Sequence, residues 1–246
     1  MKGLAILLSL FAVLLFCVQS SWAGENFSVS LNAGYYSKYV GSAGNTIYAK
    51  SVFQQSLSAT YVPLGVYGCA FHSYSPEGGP NKDWGDELDY GLGISHKINS
   101  LIIDFSCSYL DLMKIGETDG NLYALAINLA LPINQYSFNI MAEQDLTENQ
   151  LKPSRLIYRA GGAYSLKLTE TQDIKFDLSV SGHDGKEQRK AEPVSSGKLT
   201  ISSTFKVWGI GITPTISGQK RIGYSTNHGG TTHDELWGGI NLGLNL

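Results

Sequence analysis

Charge is scarce in this sequence of 246 residues: 16% are Asp, Glu, Lys or Arg, and the formal net charge is −3. Without a Lys/Arg excess there is no electrostatic footprint for nucleic acid. Proline is rare at 7, and cysteine at 3 is too sparse for a disulfide framework. Past residue 23 no apolar run reaches the roughly 18 residues that would mark a membrane-spanning helix. At 43% hydrophobic the chain is not a disordered one. Glycine at 28 and tyrosine at 14 are plentiful instead. That mixture, with so few charges, points to β-structure at a boundary between water and lipid.

The first 23 residues differ from the rest. Lys2 supplies a positive start, and the apolar run of residues 4–18 falls short of the about 20 residues that span a bilayer. Ser21 and Ala23 put small residues before Gly24, as at a signal-peptidase site. Bulky Phe16 before Cys17 does not suit a lipoprotein signal. The expectation is a signal peptide over 1–23 and one domain over 24–246.

From Asn26 onward the apolar residues recur with a period of two, the signature of half-buried strands. Phe27, Val29, Leu31, Ala33 and Tyr35 alternate with Ser28, Ser30, Asn32 and Gly34. Leu88, Tyr90, Leu92 and Ile94 alternate with Asp89, Gly91, Gly93 and Ser95. In the segment between, the reading sets Tyr67, Cys69 and Phe71 on the apolar side against Gly68, Ala70 and His72. Twelve such strands are expected. The apolar set changes from odd to even numbers between Val207 and Ile210, which one continuous strand cannot do, so a tight turn is expected at Trp208 and Gly209. Pro214 falls inside a strand, whereas the other prolines of the domain fall in connections.

Short connections alternate with long ones over about residues 38–50, 75–87, 111–120, 145–154, 184–196 and 218–234. One face is apolar and Tyr-rich, and the other is mostly Ser, Gly, Asn, Thr and charges. No apolar residues are left over for a soluble interior. The expected fold is therefore all-β: a transmembrane antiparallel up-and-down β-barrel of about 12 strands, closed because an open edge in hydrocarbon leaves backbone groups unpaired. Cys69 and Cys107 read as small packing residues, with a disulfide between them left open.

Gly34-Tyr35-Tyr36-Ser37-Lys38-Tyr39-Val40 resembles the opening strand of the TorF-family porins, the Gcw_chp family of proteobacterial proteins. Gly85-Asp86-Glu87-Leu88-Asp89-Tyr90, followed by Asp104 and by Tyr109-Leu110-Asp111, resembles the central hairpin of that family. The resemblance implies an outer-membrane barrel that forms a pore. It brings no catalytic residues and no defined substrate.

Charges recur inside strands only on the polar face. Asp89, Asp104 and Glu143 form an acidic group; Arg155, Arg159, Lys175, Lys198 and Lys206, with Asp177 among them, form a basic one. In a closed barrel the two groups are expected to face each other across the lumen and to select solutes by charge and dipole. The frequent Gly, Ser and Ala of that face favour open space; the alternative is a lumen plugged by salt bridges. His72, His96 and His183 show no spacing that pairs a base with a serine nucleophile, so no enzyme is expected. His228 and His233 lie in a Gly-rich loop that a barrel rim explains as well as a metal does, so neither metal nor cofactor is expected. Expected partners are outer-membrane lipid, the barrel assembly machinery and small polar solutes, without nucleic acid. The expected activity is passive diffusion of such solutes across a bacterial outer membrane. A non-conducting barrel that acts through its loops and a membrane lipid hydrolase are the alternatives.

Overall fold

A computed structural model describes residues 26–40, 46–48, 50–76, 87–111, 121–148, 151–184, 194–222 and 234–245. The N-terminal 23 residues, the Gly41 and Ser42 positions, His228 and His233 lie outside them.

Twelve strands close into one antiparallel barrel. They are β1 (Phe27–Tyr36), β4 (Val52–Tyr61), β5 (Val66–Tyr74), β6 (Glu87–Ile98), β7 (Leu101–Asp111), β8 (Leu122–Ile133), β9 (Tyr136–Thr147), β10 (Pro153–Lys167), β11 (Gln172–His183), β12 (Val194–Val207), β13 (Ile210–Arg221) and β14 (Glu235–Asn245). Each strand pairs with its neighbours in sequence, and β1 pairs with β14 to complete the ring. A short hairpin of β2 (Tyr39–Val40) and β3 (Thr46–Tyr48) stands within the first long connection.

The short turns gather at one end of the barrel together with both chain ends, and the longer connections at the other. Val207 pairs with Ile210 around Trp208 and Gly209, whose φ angles are 51° and 82°. Two positive φ values make the primed turn whose twist suits a hairpin. Trp208 is 97% exposed there, where an indole at a membrane–water boundary would sit. Pro214 lies on the outward face of β13, and the β12–β13 ladder has no pairs between Ser202–Thr215 and Phe205–Ile212. The missing proline N–H is accommodated by that gap.

Paired residues share a face, so the registers sort every strand into an outer and an inner set. The outer set is an apolar belt: Leu92 is 70% exposed, Leu236 67%, Leu178 63% and Ile140 61%. Among the described residues the buried apolar cluster inside is Met141 with Ile157. A chain that turns its large apolar residues outward and hydroxyls inward is built for a hydrocarbon surround.

Two sequence expectations need correction. Tyr67, Cys69 and Phe71 point inward, because the turn at residues 62–65 pairs Thr60 with Tyr67, Ser58 with Cys69 and Ser56 with Phe71. The outer positions of β5 are Val66, Gly68, Ala70, His72 and Tyr74. The apolar count misled because this strand carries its larger side chains on the side of the lumen. Secondly, half of the stretch 145–154 is wall: β9 runs to Thr147 and β10 starts at Pro153 with a bulge before Arg155. The disulfide left open in the sequence is not formed: Cys69 faces inward and Cys107 outward on different strands, and both are free thiols.

Candidate functional site

All nine charged residues expected to line the interior lie on the inner set. Asp89 on β6 pairs with inward Phe71, Asp104 on β7 with Ser95 and Asn128, and Glu143 on β9 with Ala126 and Ile157. Arg155 and Arg159 on β10 pair with Asp145 and Met141. Lys175 and Asp177 on β11 pair with Ser165 and Ala163, Lys198 on β12 with Ser179, and Lys206 with Gly211.

The ring order decides which of them oppose each other. β6 and β12 stand half a turn apart, so Asp89 and Lys198 belong to opposite walls. Glu143 does not oppose the basic wall; β9 adjoins β10, and the charges of Arg155 and Arg159 act directly on it. The interior therefore has an acidic sector on β6 and β7, a mixed seam at β9–β10, and a basic sector on β10–β12.

The seam is locked by an ion pair. Arg155 donates from Nε and Nη2 to Oδ2 of Asp145 at 2.9 and 2.6 Å. Asp145 is fully buried and the Arg155 side chain is 17% exposed. Gln144, on the apolar outer face, is satisfied by donating to the carbonyls of Asp145 and Arg155 at 2.9 Å, the latter next to the bulge. By contrast, Lys175 and Asp177 lie 3.8 Å apart with side chains 48% and 36% exposed, so their pair adds little stability.

Aromatic rings cover the wall beside the acidic sector. Tyr67 donates to Asp104 at 3.1 Å. A Cβ on Gly93 would collide with the Tyr67 ring, and one on Gly91 with the Cys69 sulfur. These glycines are therefore seats for larger inward side chains, which corrects their expected role as open lumen. Tyr36 lies likewise over Gly34 and Gly239. From the first connection, Tyr39 packs against Phe71 with ring centroids 6.4 Å apart and donates to Glu87 at 2.5 Å. Burial, and then the neighbouring carboxylates of Glu87 and Asp89, hold the Tyr39 phenol well above its usual titration range. Lys38 reaches Glu235 at 3.7 Å. Sequence reasoning left Glu87 and Asp145 in loops, although each stands two residues from an inward carboxylate, Asp89 and Glu143, and so shares its face.

His72 and His96 belong to the outer set, and His72 is hydrogen-bonded to Gln55 at 3.0 Å. Neither faces a lumenal serine. Among the described residues no cluster of His, Cys, Asp and Glu is arranged to hold a metal.

No protein-family model matches the chain, and no curated protein matches it in sequence. Solved structures do share its fold. The NanC porin superimposes with a TM-score of 0.54 at 10% identity, over 89% of this chain and 100% of that one. The COG4313 outer membrane channel from Pseudomonas putida F1 gives 0.54 at 10% identity, over 90% and 96%. The translocator domain of the autotransporter NalP from Neisseria meningitidis gives 0.50 at 10% identity, over 99% and 97%. The fold is that of a closed twelve-stranded barrel shared with porins and channels.

Proposed function

We propose that this protein is a porin of a bacterial outer membrane, through which small polar solutes diffuse passively. The observation that carries this reading is the inversion of the barrel: an apolar belt outside and a charged, hydroxyl-rich wall inside. About eight strands are just filled by their own side chains and 16 leave a channel, so twelve give a passage that wall residues can narrow without closing. The porins and channels of the same fold support the reading, as does the resemblance of the 34–40 and 85–90 stretches to TorF-family porins, the family we assign. Its surroundings are outer-membrane lipid, reached through the barrel assembly machinery, and its cargo is small polar solutes rather than nucleic acid. The outward course of His72 and His96 gives no support to a lipid hydrolase.

Conductance decides. The barrel purified from membranes and inserted in planar bilayers is expected to open steady ion-conducting steps; a correctly folded barrel that stays silent would overturn the reading. In an open channel Lys206→Glu is expected to shift the reversal potential toward cation selectivity, because a positive wall charge becomes negative.

Orientation gives a second check. With the short turns toward the periplasm, a cysteine at exposed Lys152 reacts with an impermeant thiol reagent on whole cells, and one at Asn134 does not. The background for both is Cys69→Ser with Cys107→Ser. The reverse labelling would invert the topology.

A further inference from the structure

The basic sector holds two cations that form no close ion pair among the described residues. Arg159 on β10 and Lys198 on β12 both face inward with β11 between them. Arg159 is level with Ser181, Ser181 with Ser196, and Ser179 with Lys198. The two side chains are near enough for the charge of Arg159 to act on Lys198. The surface between them is made of Gly161, Ser179, Ser181 and Ser196, and the three serines are only 5%, 6% and 2% exposed. Ser181 and Ser196 lie 3.4 Å apart, hydroxyl to hydroxyl, and Asp177 and His183 flank Ser179 and Ser181 on the inner face of β11.

The nearest acids, Glu143 for Arg159 and Asp177 for Lys198, act on them by charge without a close ion pair. Asp177, diagonal to Lys198, lies 3.8 Å from Lys175. Glu143 is diagonal to Arg159, yet Arg159 Nε is buried with no hydrogen-bond partner among the described residues. Arg155, four residues earlier on the same strand, spends its own Nε and Nη2 on Asp145. A buried cationic donor without a partner is costly, and a second cation beside it adds repulsion. One anion between the two relieves both costs.

We infer that Arg159 and Lys198 form a station for a small oxyanion: the carboxylate, sulfonate or phosphate group of a passing solute. The inference rests on the porin reading and adds to it what the channel holds. The guanidinium offers forked N–H donors matched to paired oxygens, and the ammonium a point charge. Binding must stay weak, on the order of millimolar, for the solute to leave again.

Sulfate is the probe. Added to KCl on one side of a bilayer, it is expected to block the wild-type channel, with roughly tenfold weaker block in Arg159→Gln and in Lys198→Gln. Lys220→Gln, on the exposed outer face, should block as the wild type does. The two variants are read separately after a check of heat-modifiable migration, so misfolding of one leaves the other. Undiminished block in either folded variant would overturn the station while leaving the porin reading intact. A barrel that conducts nothing ends the porin reading, and the station is then tested by unfolding in detergent. Sulfate should raise the unfolding temperature of the wild type above that of both variants, at ionic strength matched with chloride. Equal shifts would refute the station there too.

Discussion

Leu178→Arg is expected to destabilise the barrel by about 2–4 kcal/mol in lipid vesicles, measured as reversible urea unfolding. Leu178 sits midway along β11, points outward and is 63% exposed. In water such a position would tolerate arginine with a change of about 0.5 kcal/mol or less. In hydrocarbon the guanidinium must be buried without a partner or drag water and headgroups inward, and either costs several kcal/mol. The same substitution thus separates a barrel that faces lipid from one that faces water. A change near zero would contradict the apolar belt as a membrane surface.

Asp145→Ala should cost about 3–5 kcal/mol in the same assay, because it strands the Arg155 guanidinium against a wall that excludes water from Asp145. Asp145→Asn, which keeps an acceptor, should lose less. The double change of Asp145→Leu with Arg155→Met should lose less than Asp145→Ala alone, since it removes both desolvated charges together. If the single and double changes cost the same, the pair contributes no coupling and the β9–β10 seam is held by the ladder alone.

The strand count, the tight turn at Trp208 and Gly209, and the inner placement of all nine charged candidates could be read directly from the chain. A period of two is local information, and in a barrel with lipid outside every strand repeats it with the same polarity. β5 was the exception, because Tyr67, Cys69 and Phe71 looked outward by hydropathy while Gly68 and Ala70 looked inward. Its facing is set by the register to β4, and the bulk of Tyr67 is absorbed by Gly93 on the other side. Glu87 and Asp145 resembled loop residues because polarity near a strand end cannot be told from polarity in a connection.

Twelve alternating strands with apolar residues on one face and charges on the other are legible in the chain alone, because side-chain alternation needs only the backbone pleat. Which residues meet is a matter of ring closure and register. Ring closure through β1 and β14 set Asp89 against Lys198 and brought Glu143 beside Arg155 and Arg159. It also brought Tyr39 onto Glu87 and Phe71, and left Arg159 Nε without a partner among the described residues. Those contacts join residues from separate strands and connections, so they depend on shear and register, which no local pattern encodes.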